Sequence, residues 1–244
     1  MKNNQIIISS LLAVSFALGC WFIGKGFSRK PGNEYVSVTG MAEESFSSDL
    51  VQFTGNFSEK CSEIKEAYQA IKSQAAVVKK YFISKGVKAD EISMSTLSID
   101  KEFDWVSGEN GYGRNVFSGY KASQAVYIKS IRIDAIEAIT RESMELIEQG
   151  IEFSAGSPEY YFTKLSDLKL NLIEKASQDA KARATKISGA AGDQIGVLKK
   201  ANLGVFQITG ENAGEDEYSW GGAFNTSSRN KKARITVSAS YSTK

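Results

Sequence analysis

The spacing of apolar residues constrains the fold of this chain most, because it switches between two periods along the sequence. In residues 51–57 apolar side chains recur at every second position, which predicts a half-buried strand. In residues 64–82 they recur at steps of three and four, which predicts one face of a helix. Applied to the whole sequence, the two periods predict the order strand, strand, helix, strand, strand, helix, strand, helix, strand, strand.

This order predicts an α+β fold with mixed or antiparallel sheets, because strands come in adjacent pairs between helices. The strand-helix-strand-strand unit occurs twice. The longest predicted helix, residues 165–191, has an apolar stripe whose second half is mostly alanine. Small side chains of this kind let a helix lie close to a sheet or to another helix. Residues 233–241 alternate apolar and polar side chains and predict the clearest half-buried strand.

Three further segments complete this prediction in the middle of the chain. Residues 92–99 alternate with one slip of phase, which predicts a single strand with a bulge. Residues 106–119 are glycine-rich and resemble a hairpin turn, with a strand following from 120 to 131. Asp134 is expected to cap a helix that runs to about Gln149, with Ile147 facing inward.

The first thirty residues predict a segment directed to a membrane. Residues 3–24 carry no formal charge and lie between Lys2 and three basic residues in 25–30. The run is long enough to cross a hydrocarbon core, which takes about 17–25 residues. We therefore expect residues 1–30 to be a membrane anchor or signal segment, followed by one folded domain in residues 31–244.

Three forms of this segment stay open. An uncleaved anchor fits the apolar run, which continues through Trp21. A cleaved signal peptide would use Ala17-Leu18-Gly19 as its cleavage site. A lipoprotein would be acylated at Cys20, although the leucine lies one position away from the usual motif. The short basic start favours export, whereas the larger number of basic residues after the run opposes it.

The chain contains no histidine, which excludes serine–histidine and cysteine–histidine catalysis and histidine-ligated metals. Its two cysteines, Cys20 and Cys61, are too few for an all-cysteine zinc site. The sequence also has no phosphate-binding loop and no EF-hand spacing. We therefore expect no catalytic, cofactor-binding or metal-ligating residues, no cofactor, and a protein that is not an enzyme.

The charge distribution argues against nucleic acid as a partner. The formal net charge is +2, from 30 basic and 28 acidic residues. Four of the basic residues and none of the acidic ones lie in residues 1–30. The remaining chain is therefore slightly acidic, and its lysine pairs lie among scattered acids, which is typical of a solvated surface.

Two glycine-rich segments, residues 106–120 and 209–230, contain aromatic side chains that are candidates for a subunit interface. Aromatic residues in long loops either cover the core of their own domain or anchor a partner. We predict an interface at these loops, together with the alanine-rich helix of residues 165–191. The candidate interface residues are Tyr112, Phe117, Tyr120, Tyr218, Trp220 and Phe224.

Several short segments, in their order and spacing, resemble those of the SIMPL domain family. They are Val36-Ser37-Val38-Thr39-Gly40, Gly86-Val87-Lys88-Ala89-Asp90-Glu91-Ile92, Gly119-Tyr120-Lys121-Ala122-Ser123, residues 176–184, Gly196-Val197-Leu198 and residues 235–239. The resemblance covers nearly everything after residue 34. It implies an exported or membrane-anchored envelope protein with an α+β fold that assembles, in some members, into rings or cages. It implies no active-site residues.

We therefore expect a bacterial cell-envelope protein whose periplasmic domain is anchored to the inner membrane through residues 3–24. The SIMPL-like domain is expected to form a homo-oligomer with a structural or protective role and no catalysis. A soluble periplasmic form after cleavage is the alternative location. A binding module for a peptide, lipid or protein partner is the alternative function, followed by an enzyme with a histidine-free site.

Overall fold

The computed structural model describes residues 14–22, 35–107, 112–214 and 219–243. The chain folds into two compact units. The first unit comprises Met1–Ala42, Leu172–Gly204 and Ile235–Lys244, and the second comprises Glu43–Asn171 and Val205–Arg234.

The described residues form strands and helices in the α+β arrangement predicted from the sequence. The strands are β1 (Tyr35–Ser47), β2 (Leu50–Cys61), β3 (Ile92–Met94), β4 (Ser98–Ser107), β5 (Gly113–Ser130), β6 (Glu152–Ala155), β7 (Glu159–Tyr161), β8 (Ile195–Leu203), β9 (Gln207–Gly210) and β10 (Asn230–Thr243). The helices are α1 (Ile64–Ser84), α2 (Ile133–Glu142), α3 (Glu145–Glu148) and α4 (Leu165–Ala190), with a short 3-10 helix at Ala89–Glu91.

The second unit contains an antiparallel sheet of six strands in the order β3-β5-β2-β6, with β4 beside β5 and β7 beside β2. Its core lies where α1 packs on this sheet. The Phe82 ring of α1 lies 6.0 Å from the Phe53 ring and 6.3 Å from the Phe153 ring. Burial of each such side chain contributes about 1.5–3 kcal/mol, so the aromatic cluster is a main source of stability for this unit.

The predicted strand and helix faces of this unit are mostly confirmed. On β2, Val51, Phe53 and Phe57 are buried as the alternation predicts. On α1 the inward stripe passes through Ala67 and Ile71, both fully buried. The predicted face of residues 64–82 also included Ile64 and Tyr68, and there the prediction is wrong, because these side chains are 52% and 48% exposed. Successive helical residues are rotated by about 100°, so Tyr68 points away from the stripe that contains Ala67.

The prediction of one bulged strand over residues 92–99 is wrong, because β3 and β4 are separate strands that both pair with β5. Ser95 lies between them. Its backbone N–H donates to the Ala125 carbonyl at 2.8 Å, and its Oγ accepts the Ala125 N–H at 2.9 Å. The Ser95 hydroxyl thus accepts the Ala125 N–H in place of a backbone carbonyl, and the predicted strand is divided at this residue.

The predicted helix from Asp134 to about Gln149 is divided into α2 and α3 by a turn at Ser143. The Ser143 side chain is buried, and its hydroxyl donates to the Thr140 carbonyl at 2.7 Å. Asp134 is not the cap, because it lies inside the first turn of α2 and pairs with Arg229. The break also changes the helical phase, so Ile147 is 49% exposed whereas its neighbour Leu146 is fully buried.

The first unit contains strands in the order β1-β10-β8, with α4 on the sheet. Its core joins Val38 and Ala239 of the strands to Ala180 and Ala184 of the helix. The predicted alternation of β10 is confirmed by burial, and the predicted stripe of α4 is confirmed at Ala176, Ala180 and Ala184, whereas Ile187 further along it is 53% exposed. The alanine face therefore packs on the unit's own sheet and is not available as a surface for another subunit.

The predicted membrane helix over residues 3–24 lies mostly outside the described residues. Within it, residues 14–22 are helical, and Phe16 and Phe22 are 75% and 69% exposed. Among the residues that the structure describes, no helix has both the length and the apolar character needed to span a membrane.

Candidate interaction surface

β4 and β5 extend past the six-stranded sheet as a two-stranded ribbon. The pairing of β5 with β2 ends where Tyr120 lies opposite Cys61. Beyond that pair, β5 continues to pair with β4 as far as Ser107 and Gly113. We call residues 103–107 and 113–119 the ribbon.

A β-bulge at Gly119 marks the base of the ribbon. Glu102 pairs with Gly119 but Phe103 pairs with Phe117, so Ser118 is the extra residue. Gly119 has a φ of +134°, and a Cβ atom there would lie 2.6 Å from the Cys61 carbonyl oxygen. Only glycine fits this position without strain, and the bulge turns the ribbon away from the direction of the sheet.

The bulge is supported from the neighbouring strand by Lys60. Its Nζ donates to the Ser118 hydroxyl at 3.0 Å and lies 3.6 Å from the Asp104 carboxylate. Both charged side chains are largely exposed, so the ion pair itself contributes little stability. The hydrogen bond from Lys60 to Ser118 connects the bulge to β2.

One face of the ribbon is aromatic. Phe103 lies opposite Phe117, and Trp105, two residues further along β4, points to the same side. The Phe103 and Phe117 rings meet edge to face at 5.9 Å, and Phe117 meets Tyr120 at 5.2 Å. The exposed fractions of Phe103, Trp105 and Phe117 are 53%, 66% and 46%. Contiguous aromatic surface of this kind is typical of protein interfaces.

The segment between β9 and β10 is fixed to the rest of the second unit by hydrogen bonds. The Gln207 side chain accepts the Ala223 N–H and donates to the Ser219 carbonyl, each at 2.6 Å. The Asn225 N–H donates to the Ile208 carbonyl at 2.9 Å. The described part of this loop is therefore held in one backbone conformation although it is not a helix or strand.

Lys231 lies below this loop, with its side chain only 2% exposed. Its ammonium donates to the Tyr160 carbonyl at 2.6 Å and to the Asn225 carbonyl. Burial lowers the pKa of Lys231 to about 8. Burial and a hydrogen bond to Glu137 raise the pKa of the Tyr160 hydroxyl to about 12. Lys231 thus fastens β10 to β7 and to the loop through backbone carbonyls.

Beside Lys231 is a small apolar pocket with room for about one water molecule. It is lined by Phe46, Phe162, Leu165, Ile208, Phe224 and Lys231. The Phe46 and Phe162 rings in its lining pack against each other, with their centroids 4.8 Å apart. The pocket is too small for an organic ligand, so its aromatic side chains serve to pack the loop.

The structure places the six predicted interface residues in different surroundings. Phe117 and Tyr120 are brought together at the base of the ribbon, and Tyr112 at its outer end is 86% exposed. Trp220 is fully exposed on the loop, whereas Phe224 lines the pocket beside Lys231. Tyr218 is outside the described residues.

Sequence reasoning missed Phe103, Trp105 and Lys231. The first two follow an alternation of acidic and aromatic residues, Glu102-Phe103-Asp104-Trp105, which indicates a strand with one aromatic face. Lys231 stands in the same period-two phase as the buried positions of β10 and was therefore recognisable as an inward-facing lysine.

Several charged side chains of the second unit form ion pairs with one another. Arg132 pairs with Glu91 at 2.6 Å, and Lys85 pairs with Glu142 at 2.7 Å and with Glu145 at 2.8 Å. Within the described ranges, no three cysteine, aspartate or glutamate side chains converge in a way that could hold a metal ion. The exposed aromatic face of the ribbon is the candidate interaction surface.

The comparison with protein families agrees with the resemblance noted in the sequence. The model of the SIMPL family, described as a protein of unknown function (DUF541), matches residues 36–243. The chain belongs to the SIMPL family. The SIMPL match begins in β1 and ends with β10, so it includes strands and helices of both units. A search of curated proteins found no match to the chain.

Proposed function

We propose that this SIMPL-family chain is a bacterial cell-envelope protein whose domain self-associates and has a structural or protective role without catalysis. The observation that carries the proposal is the aromatic face of the ribbon. Phe103, Trp105 and Phe117 are exposed together on two strands that extend past the sheet. We propose that a second copy of the chain covers this face.

Covering the ribbon is favourable for two physical reasons. A two-stranded hairpin is only marginally stable in water, so a partner that packs on it adds order as well as contact. Aromatic side chains bury about 150–250 Å² each and dominate the energetics of interfaces. Anchoring would raise the effective concentration of the domains by confining them to one plane, so weak contacts would combine.

The proposed location rests on the N-terminal sequence. Residues 3–24 are uncharged and have basic residues on both sides, which is typical of an anchor or export signal. We propose that the segment is retained in the inner membrane and that the SIMPL domain lies in the periplasm. Cleavage of the segment would instead give a soluble periplasmic domain.

A second candidate function is a binding module for a peptide, lipid or protein of the envelope. Trp220 favours it, because its side chain is fully exposed on a loop whose backbone is fixed by Gln207 and Lys231. A tryptophan side chain has only two rotatable bonds, so it loses little conformational entropy when a partner covers it.

Light scattering of the full chain in detergent tests the leading proposal. We expect a defined oligomer for the natural sequence and loss of that oligomer when Trp105 and Phe117 are both changed to Ala. A natural chain that remains monomeric at high micromolar concentration would overturn the proposal. Cross-linking in cells separates the candidates, because self-association gives products containing this chain alone, whereas a binding module gives products with a second protein or lipid.

A further inference from the structure

The sheet edges of the two units differ in how they are protected. β1 lies at one end of the order β1-β10-β8, and α4 occupies one of its backbone donors, since the Met41 N–H donates to the Asp179 carboxylate at 2.9 Å. That hydrogen bond is the main reason why the pKa of Asp179 is lowered. β6 and β7 have only four and three residues, and short edge strands are poor templates for pairing.

β8 and β4 are two long edge strands. β8 has nine residues and ends its sheet, and β4 has ten residues and pairs with β5 on one side. Along the outer side of either strand, the described parts of the chain supply no further strand. Unpaired N–H and C=O groups on such edges can accept a strand from another chain.

These two edge strands carry opposite charge. β8 contains Lys199 and Lys200 and no acidic residue. β4 contains three acidic residues, Asp100, Glu102 and Asp104, against Lys101 alone. Both strands also expose apolar side chains, with Val197 of β8 63% exposed and Leu203 59% exposed. The edges therefore complement each other in charge and both gain by covering apolar surface.

We infer that β4 of one copy pairs along the outer edge of β8 of a second copy, adding a strand to that sheet. This inference rests on the self-association proposed above and specifies the contact. Each copy then uses β4 towards one neighbour and β8 towards the other, which makes the contact heterologous.

Pairing of like edges is disfavoured by the same charges. Two β8 strands would bring four lysines together, and two β4 strands would bring six acidic residues together against two lysines. Like charges placed opposite one another across strands are destabilising. Lysines on an edge strand normally disfavour pairing with another strand. An acidic strand such as β4 can still pair with β8, so the lysines make β8 selective for an acidic edge.

Charge reversal on each edge tests the pairing. The first variant of the full chain carries Lys199→Glu and Lys200→Glu, and the second carries Asp100→Lys and Glu102→Lys, which leaves the Asp104–Lys60 contact in place. We expect each variant alone to self-associate at least about tenfold more weakly than the natural chain, measured by sedimentation in detergent. The matched control is Lys79→Glu with Lys80→Glu, at exposed positions of α1, which is expected to have no effect.

Mixing the two variants gives the decisive result. The acidic β4 of the first variant then meets the basic β8 of the second, and the reversed edges also complement each other, so an equimolar mixture is expected to regain the natural oligomer. One chain carrying all four substitutions is expected to assemble alone. Circular dichroism checks that each variant is folded.

The possible failures are distinguishable. A natural chain that is monomeric overturns the self-association itself. A natural oligomer that neither variant weakens leaves self-association standing and overturns the β4–β8 contact. The contact is also overturned if each variant alone is weakened but neither mixing nor the four-substitution chain restores the oligomer. In that case the charges of β4 and β8 do not act on each other.

Discussion

A Cβ atom on Gly40 would lie 2.2 Å from the carbonyl oxygen of Ala176. The two backbones, one in β1 and one in α4, are therefore in direct contact within the first unit. The obstacle is main chain, which cannot move aside as a flexible side chain can. This contact explains why the inward face of α4 is made of alanine at this level of the helix.

Changing Gly40 to Ala is expected to lower the free energy of unfolding by about 3 kcal/mol, because the added methyl group separates helix from strand. Urea denaturation followed by circular dichroism measures the change. Gly189→Ala is the control, because a Cβ there meets nothing within 4 Å and glycine costs about 0.5–1 kcal/mol relative to alanine inside a helix. Equal stability of the Gly40→Ala variant and the natural protein would contradict the close contact.

Lys231 predicts a dependence of stability on alkaline pH. Its pKa is lowered from 10.5 to about 8 by burial, so between these values the unfolded chain binds more protons than the folded one. Stability therefore rises with pH across this window. The free energy of unfolding of the natural protein, relative to that of Lys231→Met, is expected to increase by roughly 2 kcal/mol from about pH 7 to about pH 10.

The comparison with Lys231→Met isolates this group, since all other titrations are common to both proteins. Lys232→Met, at the neighbouring half-buried position of β10, serves as the control and is expected to track the natural protein at all pH values. A difference between natural protein and Lys231→Met that stays constant with pH would show that Lys231 keeps its ordinary pKa in the folded state.

Asp179 predicts a second effect at acidic pH, where stability again rises with pH because the pKa of the folded state is lowered. The Met41 N–H, followed by Arg183, lowers the pKa of its carboxyl group below 3.8. Asp179→Ala is expected to cost about 1 kcal/mol at neutral pH. As pH falls from about 4 through the lowered pKa, the natural carboxylate is protonated and this difference disappears. Denaturation of both proteins at several pH values measures it, and a difference that persists after protonation would contradict the role of the charge.

Substitution of one phenylalanine in the core and one in the ribbon is expected to have different effects. Phe53 is fully buried, and Phe53→Ala is expected to lower the free energy of unfolding by about 3–5 kcal/mol. Phe117 is 46% exposed, so Phe117→Ala is expected to cost about 1 kcal/mol but to weaken self-association. Tyr68→Ala, which removes a similarly exposed ring from α1, is the control for association. Loss of association in that variant as well would show that the effect is not specific to the ribbon.

The elements that were predictable from the sequence are those whose burial follows one clear period. β2, β10 and α4 have one face in a core, so their apolar residues recur at every second position or at steps of three and four. The division at Ser143 was not predictable, because it depends on a buried hydroxyl bonding to the Thr140 carbonyl. Such a bond leaves no mark on apolar spacing.

The candidate site was predicted only in part for a related reason. Phe117 and Tyr120 were recognised as aromatics near a glycine-rich turn, but the predicted turn of residues 106–119 was too long, because β4 continues to Ser107 and β5 begins at Gly113. The ribbon alternates acidic and aromatic side chains at Glu102-Phe103-Asp104-Trp105, but its aromatic face is exposed, so the alternation did not indicate a buried strand. The exposure of these aromatic residues depends on where the pairing of β5 with β2 ends. This pairing ends at Tyr120, beside the bulge at Gly119.

Chemical labelling of the buried amine of Lys231 can report local opening of the fold. Amine-specific reagents acylate neutral, accessible lysines, and this side chain is reached only when β10 parts from β7 or from the loop above it. Its labelling rate, divided by that of an unprotected lysine, therefore measures the population of that open form. Mass spectrometry of the peptide containing Lys231 would follow this opening at one position, without any engineered probe.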